Sequence, residues 1–102
     1  MGFFSRKKNN DDIKASEKII FEQINDNDEE AASLVDKLKE GLPIAINLER
    51  LEFQSANKML AFFSGACYAL GGKSFKLNET SYLFVRNDEL EDGSIYEFIN
   101  SL

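Results

Sequence analysis

The sequence has 102 residues, of which 43% are hydrophobic and 12% aromatic. This length predicts a single folded domain, and this composition can bury a core, which excludes wholesale disorder. The formal net charge is −6, but three of the twelve basic residues and no acidic residue fall within the first ten positions. The rest of the chain therefore carries nine basic and eighteen acidic groups, and this acidic body removes the main source of affinity for nucleic acid.

The residues needed for most catalytic and metal sites are scarce. Cys67 is the only cysteine, and the chain contains no histidine, so an intramolecular disulfide, the usual zinc sets and a histidine base are all excluded. No apolar run approaches the roughly 20 residues that span a bilayer, and the first ten residues lack the hydrophobic stretch of a signal peptide. We therefore predict a cytoplasmic protein that is not an enzyme and that uses no cofactor or metal.

Residues 1–12 are predicted to form a polar tail, and residues 13–102 a folded domain. Residues 13–17 remain ambiguous, whereas the β-branched and aromatic segment 18–24 predicts a first strand. Polar N-cap residues at 26–28 and a stop at Gly41 predict a helix between them. The apolar face of this helix consists of Ala31, Leu34, Val35 and Leu38.

The second half of the sequence adds a strand, a helix and a hairpin. Residues 43–48 predict a short strand buried on both faces, and residues 54–70 predict a longer helix. Its inward stripe is Ala56, Met59, Leu60, Phe63, Cys67 and Leu70. Segments 73–77 and 81–86 predict an antiparallel hairpin, and the spacing of Ile95, Phe98, Ile99 and Leu102 predicts a short C-terminal helix. The order β-α-β-α-β-β predicts an α/β fold, a single compact sandwich with both main helices packed on one sheet.

The strand at 81–86 is apolar on both faces, with Tyr82 and Phe84 pointing one way and Leu83 and Val85 the other. Because two helices can cover only one face of the sheet, we expect the second face to meet another copy of the chain or a peptide.

The longer predicted helix also has a strip of nearly bare backbone. Ala61, Gly65 and Ala69 recur every four residues, so another helix can approach closely there. The strip either binds a second molecule or packs against other elements of the same chain.

The segment from Gly71 to Ser74, GGKS, ends like a phosphate-binding loop. However, that pattern requires glycine at the position of Cys67 and a helix after the loop, whereas this loop follows a helix and enters a strand. We predict no nucleotide binding at this loop. Cys67 lies on the inward helical stripe, which indicates a small buried hydrophobe rather than a nucleophile.

The N-terminal tail combines aromatic and basic residues. Phe3 and Phe4 can enter the boundary between lipid headgroups and acyl chains while the basic residues meet anionic lipid, at about 1 kcal/mol each. The basic residues are Arg6, Lys7 and Lys8. Arg6 stands where Ser or Thr belongs in the acceptor pattern for myristoylation, so Gly2 is not a predicted lipidation site. The alternative interpretation is an unstructured start with two chance phenylalanines.

Three segments together resemble the SepF family of cell division proteins. These are GLPIAINLERL at 41–51, FFSGACYALGG at 62–72 and YLFV at 82–85, and the resemblance extends over roughly residues 18–86. It implies a compact α/β domain that forms homodimers or longer polymers, together with a short N-terminal membrane anchor. It also implies binding to the C-terminal peptide of FtsZ, the tubulin-like division GTPase.

The resemblance implies three sets of functional residues. The membrane anchor comprises Met1, Phe3, Phe4, Arg6, Lys7 and Lys8. The FtsZ-peptide pocket comprises Lys76 and Tyr82, with Phe84 on the same strand face as Tyr82. The self-association set comprises Gly65, Gly71 and Gly72, to which the bare strip adds Ala61 and Ala69.

The expected function is that of a non-enzymatic adaptor, peripheral on the inner face of the cell membrane at the division site. It would tether the Z-ring to the membrane during septum formation, with FtsZ, itself and anionic lipid as partners and no nucleic acid. The alternative is a dimeric regulatory module that binds a small ligand, and it requires a deep apolar cavity with converging polar groups.

Overall fold

The computed structural model describes residues 13–102, and the predicted tail at 1–12 lies outside the described residues. The strands are β1 (Ile20–Gln23), β2 (Ile44–Asn47), β3 (Gly72–Lys76) and β4 (Ser81–Arg86). The helices are α1 (Asp28–Lys39), α2 (Phe53–Ala69) and α3 (Ser94–Asn100), with 3-10 helices at Ala15–Lys18 and Asn87–Leu90. The element order confirms the predicted α/β fold and the short C-terminal helix.

The four strands form one mixed sheet in the order β1-β2-β4-β3. β1 lies parallel to β2, whereas β4 is antiparallel to both of its neighbours. The central strand β2 is buried along most of its length and β4 along its second half, where both faces are covered and the sequences are continuously apolar. β1 and β3 are the edge strands.

Local signals in the sequence fix the ends of α1. The side chain of Asn27 accepts a hydrogen bond from the Glu30 backbone N–H at 2.9 Å, and acidic residues occupy the first turn, where the helix dipole favours them. Gly41 follows the helix with φ +97°, a conformation that favours glycine. These caps leave the predicted apolar face of α1 directed at the sheet.

Helices α1 and α2 cover one face of the sheet and enclose the larger core. Phe63 of α2 stacks on Phe84 of β4, with ring centroids 5.7 Å apart and an interplanar angle of 25°. The other buried side chains of this core are Ile24, Ala31, Leu34, Leu38, Ile44, Ile46, Leu48, Met59 and Cys67. The stripe predicted for α2 is thus confirmed, with Ala56, Leu60 and Leu70 at its partly buried margin.

The second face of the sheet is covered by the chain itself, so the prediction that another molecule must cover it is wrong. Ala45, Leu83 and Val85 are buried beneath Ile95 of α3 and beside Ala15 of the first 3-10 helix. Phe98, Ile99 and Leu90 pack around them. The 3-10 helices that complete this cover are too short to leave a periodic signal in the sequence.

Asp92 and Ser94 join the two segments that cover this face. The Asp92 carboxylate accepts hydrogen bonds from the Ala15 N–H at 2.9 Å, the Ser94 N–H at 2.9 Å and the Ser94 hydroxyl at 2.8 Å. The Ser94 hydroxyl oxygen in turn accepts a bond from the Ser16 N–H at 3.0 Å. These donors hold the pKa of Asp92 below its usual value.

Candidate functional site

The end of the β3–β4 hairpin brings two of the predicted peptide-binding residues together. Lys76 and Tyr82 are directly opposite each other in the strand register, so their side chains leave the same face of the sheet. The Asn78 side-chain oxygen accepts a bond from the Thr80 N–H at 2.9 Å, and the Leu77 N–H donates to the Ser81 carbonyl at 2.9 Å. The turn therefore fixes the register that pairs the lysine with the tyrosine.

The charge and surface of this pair suit an acidic, apolar peptide. The Lys76 side chain is 53% exposed, and its Nζ lies 3.6 Å from the Glu79 carboxylate, which is itself almost fully exposed. Such an exposed pair is weak, so the ammonium can exchange Glu79 for the carboxylate of a ligand at little cost. Tyr82 is half-buried against the larger core, which holds its ring in place with one part open to solvent.

Phe84 does not belong to this surface. Its side chain is completely buried and stacked on Phe63, so it cannot contact a peptide on the surface. The assignment of Phe84 to the peptide pocket is therefore wrong. The strand alternation placed it correctly on the same face as Tyr82. Two residues further along the strand, however, that face is covered by α2.

The bare strip of α2 faces solvent. Ala61, Gly65 and Ala69 are exposed, and a Cβ added at Gly65 would meet no atom within 4 Å. The interpretation that the strip packs against the chain's own elements is therefore wrong among the described residues. The strip is flanked by Phe62 and by Tyr68, which is 84% exposed.

After Lys58, this outer face of α2 is also uncharged. No charged residue occurs between Lys58 and Lys73, although most surface helices carry charges on the solvent side. An exposed helix face that combines small residues, two aromatic rings and no charge has the composition of a contact surface.

The two glycines after α2 have different local roles. Gly71 adopts φ +72° and ends the helix, and a Cβ there would meet nothing within 4 Å. At Gly72 a Cβ would collide with the Val85 carbonyl oxygen and approach Cys67 Sγ at 2.6 Å. Gly72 is thus required by the packing of β3 on β4 and α2 within one chain.

Cys67 and the GGKS segment lie in the elements that the sequence predicts. Cys67 is buried, and its thiol lies within hydrogen-bond distance of the Lys73 and Val85 carbonyl oxygens, either of which can accept its one proton. Burial raises the pKa of the thiol. The GGKS segment leaves α2 and enters β3, so its N–H groups do not gather at a helix N-terminus.

The surface concavities of the described residues include one on each face of the sheet. A volume of about 380 Å³ lies beside β1 and α3, and one of about 330 Å³ lies between α1 and α2 next to Met59 and Phe62. In the first, the Asn47 side chain already donates to the Ser81 hydroxyl at 3.0 Å and to that of Thr80. Across the part of the chain that the structure describes, no buried side-chain nitrogen or oxygen lacks a hydrogen-bond partner.

These concavities were not predicted from the sequence. The first is built where the ring of Phe21 on β1 meets Phe98 of α3, in a T-shaped contact with centroids 6.1 Å apart. The one signal for it in the sequence was Phe21, a large aromatic residue in the predicted first strand whose side chain alternates in direction with that of Ile20. Between residues 13 and 102, no group of three or more acidic or cysteine side chains is placed to hold a metal ion, and no helix is long and apolar enough to cross a membrane.

Together these features define a class of protein: a small α/β domain on a mixed four-stranded sheet, with an exposed Lys–Tyr pair at a hairpin end and an uncharged outer helix face. The sequence profile described as cell division protein SepF matches residues 19–87, from the start of β1 to the end of β4. The chain therefore belongs to the SepF family and has a role in cell division.

Individual relatives support this assignment. The cell division protein SepF of Carboxydothermus hydrogenoformans is 37% identical over 70 residues, which are 69% of this chain and 51% of that protein. The SepF of Natranaerobius thermophilus is 39% identical over 67 residues, which are 66% of this chain and 40% of that protein. The chain thus spans about half the length of these relatives or less.

Proposed function

We propose that the protein is a non-enzymatic adaptor that binds the C-terminal peptide of FtsZ, associates with itself and attaches this assembly to the cytoplasmic face of the cell membrane. Family membership supports the setting in cell division. The observation that carries the proposal is the hairpin end, where Lys76 and Tyr82 are paired across the strands and accessible.

The hairpin end has the properties that a short peptide ligand needs. Lys76 supplies a cation for a peptide carboxylate, and Tyr82 supplies an aromatic surface that is already ordered by the core beneath it. Because the core already holds the Tyr82 ring in place, the tyrosine loses little side-chain entropy when the peptide binds.

Self-association through the outer face of α2 would increase the strength of both attachments. Gly65 and the two flanking alanines let a second helix approach closely, and Phe62 and Tyr68 supply apolar area. A dimer presents two hairpin ends and two tails, so each weak contact is repeated without any new chemistry.

The membrane attachment is assigned to Met1, Phe3, Phe4, Arg6, Lys7 and Lys8, which lie outside the described residues. The rest of the chain is strongly acidic and would be repelled by anionic lipid. The basic and aromatic tail is therefore the part of the sequence suited to a lipid surface.

The peptide site is tested with a synthetic C-terminal peptide of FtsZ and the variants Lys76→Ala and Tyr82→Ala. We expect each change to weaken binding about tenfold, as for central residues of a small interface, measured by isothermal titration calorimetry. Tyr82→Phe should bind nearly as well as the wild type if the ring rather than the hydroxyl makes the contact.

Lys73→Ala is the matched control for the lysine, because Lys73 is also exposed on β3 but pairs with Val85, whose side chain lies on the other face of the sheet. It should leave the affinity unchanged. Unaltered binding in the Lys76→Ala, Tyr82→Ala double variant, with the fold verified by circular dichroism, would remove the hairpin end as the peptide site.

A further inference from the structure

The outer edge of β3 directs backbone groups away from the sheet. The Leu77 N–H donates to the Ser81 carbonyl of β4 at 2.9 Å. Because this direction alternates along an antiparallel strand, Phe75 also bonds to β4, whereas Ser74 and Lys76 direct their N–H and carbonyl groups outward. These outward groups can bond to another strand.

The outer edge of β1 has the same property. The Ile20 N–H donates to the Pro43 carbonyl at 2.9 Å, and the strand pairs with β2 on this side. Phe21 and Gln23 therefore direct their backbone groups outward. β1 and β3 also run in the same direction, because β1 is parallel to β2 and β4 is antiparallel to both of its neighbours. The β1 of one copy can thus continue the sheet of another beyond β3, with α1 and α2 of both copies on the same side.

The charged side chains of the two edges are complementary. β3 carries Lys73 and Lys76, β1 carries Glu22, and all three residues are exposed. Two β3 edges would bring lysines together, and two β1 edges would bring two copies of Glu22 together, and like charges on adjacent strands are destabilising. Pairing β1 with β3 joins opposite charges instead. A second copy of this chain therefore fits each edge.

One register places the opposite charges together. Ile20 packs against the larger core, so Glu22, two residues along, points to the face that α1 and α2 cover. Lys76 leaves the same face, because it is opposite Tyr82, which also packs against that core. With Glu22 of one copy opposite Lys76 of the next, the exposed ammonium can exchange Glu79 of its own chain for Glu22.

The same register places two aromatic rings together on the other face. Phe21, in contact with Phe98, would lie opposite Phe75, and both rings are on the side that α3 covers. The Phe75 ring packs edge-on against Tyr96, with centroids 5.8 Å apart. Phe21 is 63% exposed and Tyr96 is 41% exposed, so pairing would cover apolar area that a single molecule leaves in water. A shift by one residue would separate both pairs, because each side chain would then lie beside one on the opposite face.

The backbone groups also match in this register. In a parallel pair, a residue that faces the neighbouring strand bonds to the residues on either side of the one opposite it, as β1 and β2 show. The Phe21 N–H would donate to the Ser74 carbonyl, and the Lys76 N–H would donate to the Phe21 carbonyl. The Gln23 N–H would donate to the Lys76 carbonyl. These are the groups that each edge directs outward.

We propose that β1 of one copy pairs with β3 of another as parallel strands, with Glu22 opposite Lys76 and Phe21 opposite Phe75. The two molecules contribute different edges, so each added copy leaves one β1 edge and one β3 edge free, and the assembly grows as an open chain. The contact does not use the outer face of α2 and does not rest on the self-association proposed there. Lys76 also belongs to the proposed peptide site, so a bound peptide should compete with this pairing.

A water-soluble carbodiimide tests the contact, because it forms an amide between a carboxylate and an amine that touch each other. Within one molecule, Glu22 and Lys76 are about 14 Å apart across three strand spacings, beyond the combined reach of the two side chains, so an amide between them joins two copies. We expect this amide in the wild-type chain at high concentration, identified by mass spectrometry after proteolysis. Lys73, also exposed but on the other face, is the matched control and should form no amide with Glu22. The Lys76–Glu79 pair within one molecule verifies that Lys76 reacts.

Charge exchange provides the second readout, by analytical ultracentrifugation in the Gly65→Glu background with the fold verified by circular dichroism. Glu22→Lys should shift sedimentation to smaller species, because it sets two cations opposite each other. The Glu22→Lys, Lys76→Glu variant should restore the larger species. Glu91→Lys makes the same change of charge at an exposed site away from both edges and should leave the distribution unchanged.

Absence of the Glu22–Lys76 amide, when the Lys76–Glu79 amide forms, would overturn the proposal. An unchanged distribution in Glu22→Lys would also overturn it, as would a loss of larger species that charge exchange does not restore. A Glu22–Lys76 amide in a protein whose Gly65→Glu variant associates like the wild type would support the edge contact and remove the outer face of α2 alone.

Discussion

Gly71 and Gly72 show how neighbouring identical residues can be required for different reasons. Gly71 needs its left-handed backbone conformation but has open space around it, whereas Gly72 has ordinary backbone angles and no room for a side chain. The sequence associates both with self-association through family resemblance. The structure adds a role within one chain for each glycine. Gly71 ends α2, and Gly72 lets the backbone of β3 pack closely against Val85 and Cys67.

This difference predicts unequal costs for replacement by alanine. Gly72→Ala should lower the free energy of unfolding by about 2 kcal/mol, since a backbone oxygen cannot move away cheaply. Gly71→Ala should cost about 1 kcal/mol from backbone strain alone. Urea denaturation monitored by circular dichroism measures both. Equal costs, or a larger cost at Gly71, would contradict the contacts described around Gly72.

Gly65 is the residue at which fold and assembly are best separated. Because an added side chain meets nothing within the chain, Gly65→Glu should leave the fold intact and place a charge in the uncharged helix face. The proposed self-association predicts wild-type dimers in analytical ultracentrifugation, and monomers of Gly65→Glu at the same concentration. Asn57→Glu, on the exposed side of α2 two turns earlier, is the control and should remain dimeric. Dimers of unchanged stability in Gly65→Glu would exclude this face.

At the level of elements, α3 is held on the sheet by a small core and by Asp92. Its buried anchor is Ile95, and its first turn is joined to the 3-10 helix Ala15–Lys18 through Asp92 and Ser94. A seven-residue helix is not stable by itself, so these contacts decide whether the second sheet face is covered.

Asp92→Ala removes three hydrogen bonds. Because the carboxylate is exposed to water, the loss should lower the free energy of unfolding at pH 7 by only about 1 kcal/mol. The pKa of Asp92 is depressed in the folded state, so its contribution is complete above the unfolded pKa of about 4 and is lost as the pH falls through the lower folded value. The stability difference between wild type and Asp92→Ala should therefore shrink in acid. Glu91→Ala, the exposed neighbour, should change little at either pH, and an equally large loss there would contradict a specific role for Asp92.

At the level of the whole molecule, long periodic segments were predictable and short irregular ones were not. The helical stripes of α1 and α2 and the bounds of β4 follow from side-chain spacing, and the structure confirms them. β1 is shorter than predicted because Lys18 belongs to a 3-10 helix. For Phe84 the predicted face of the strand was correct, but the predicted exposure was wrong. Strand alternation shows to which face a side chain points, but it does not show whether a helix covers that face.

The same limit explains the misjudged second face of the sheet. Its cover is made from two 3-10 helices and one short helix, which have no repeat long enough to read as an amphipathic pattern. The Lys76–Tyr82 pair came from family resemblance, and strand register alone could have shown only that the two residues are opposite each other.

If the protein is an adaptor, it should recruit FtsZ to lipid, which neither FtsZ nor lipid does without it. Anionic vesicles, FtsZ with GTP and this protein should sediment together, and FtsZ should stay in the supernatant when the protein is left out. Deleting residues 2–8 should release protein and FtsZ from the vesicles, whereas the Lys76→Ala, Tyr82→Ala variant should keep the protein on vesicles and release FtsZ alone. FtsZ that reaches the vesicles equally well with either variant would contradict the account.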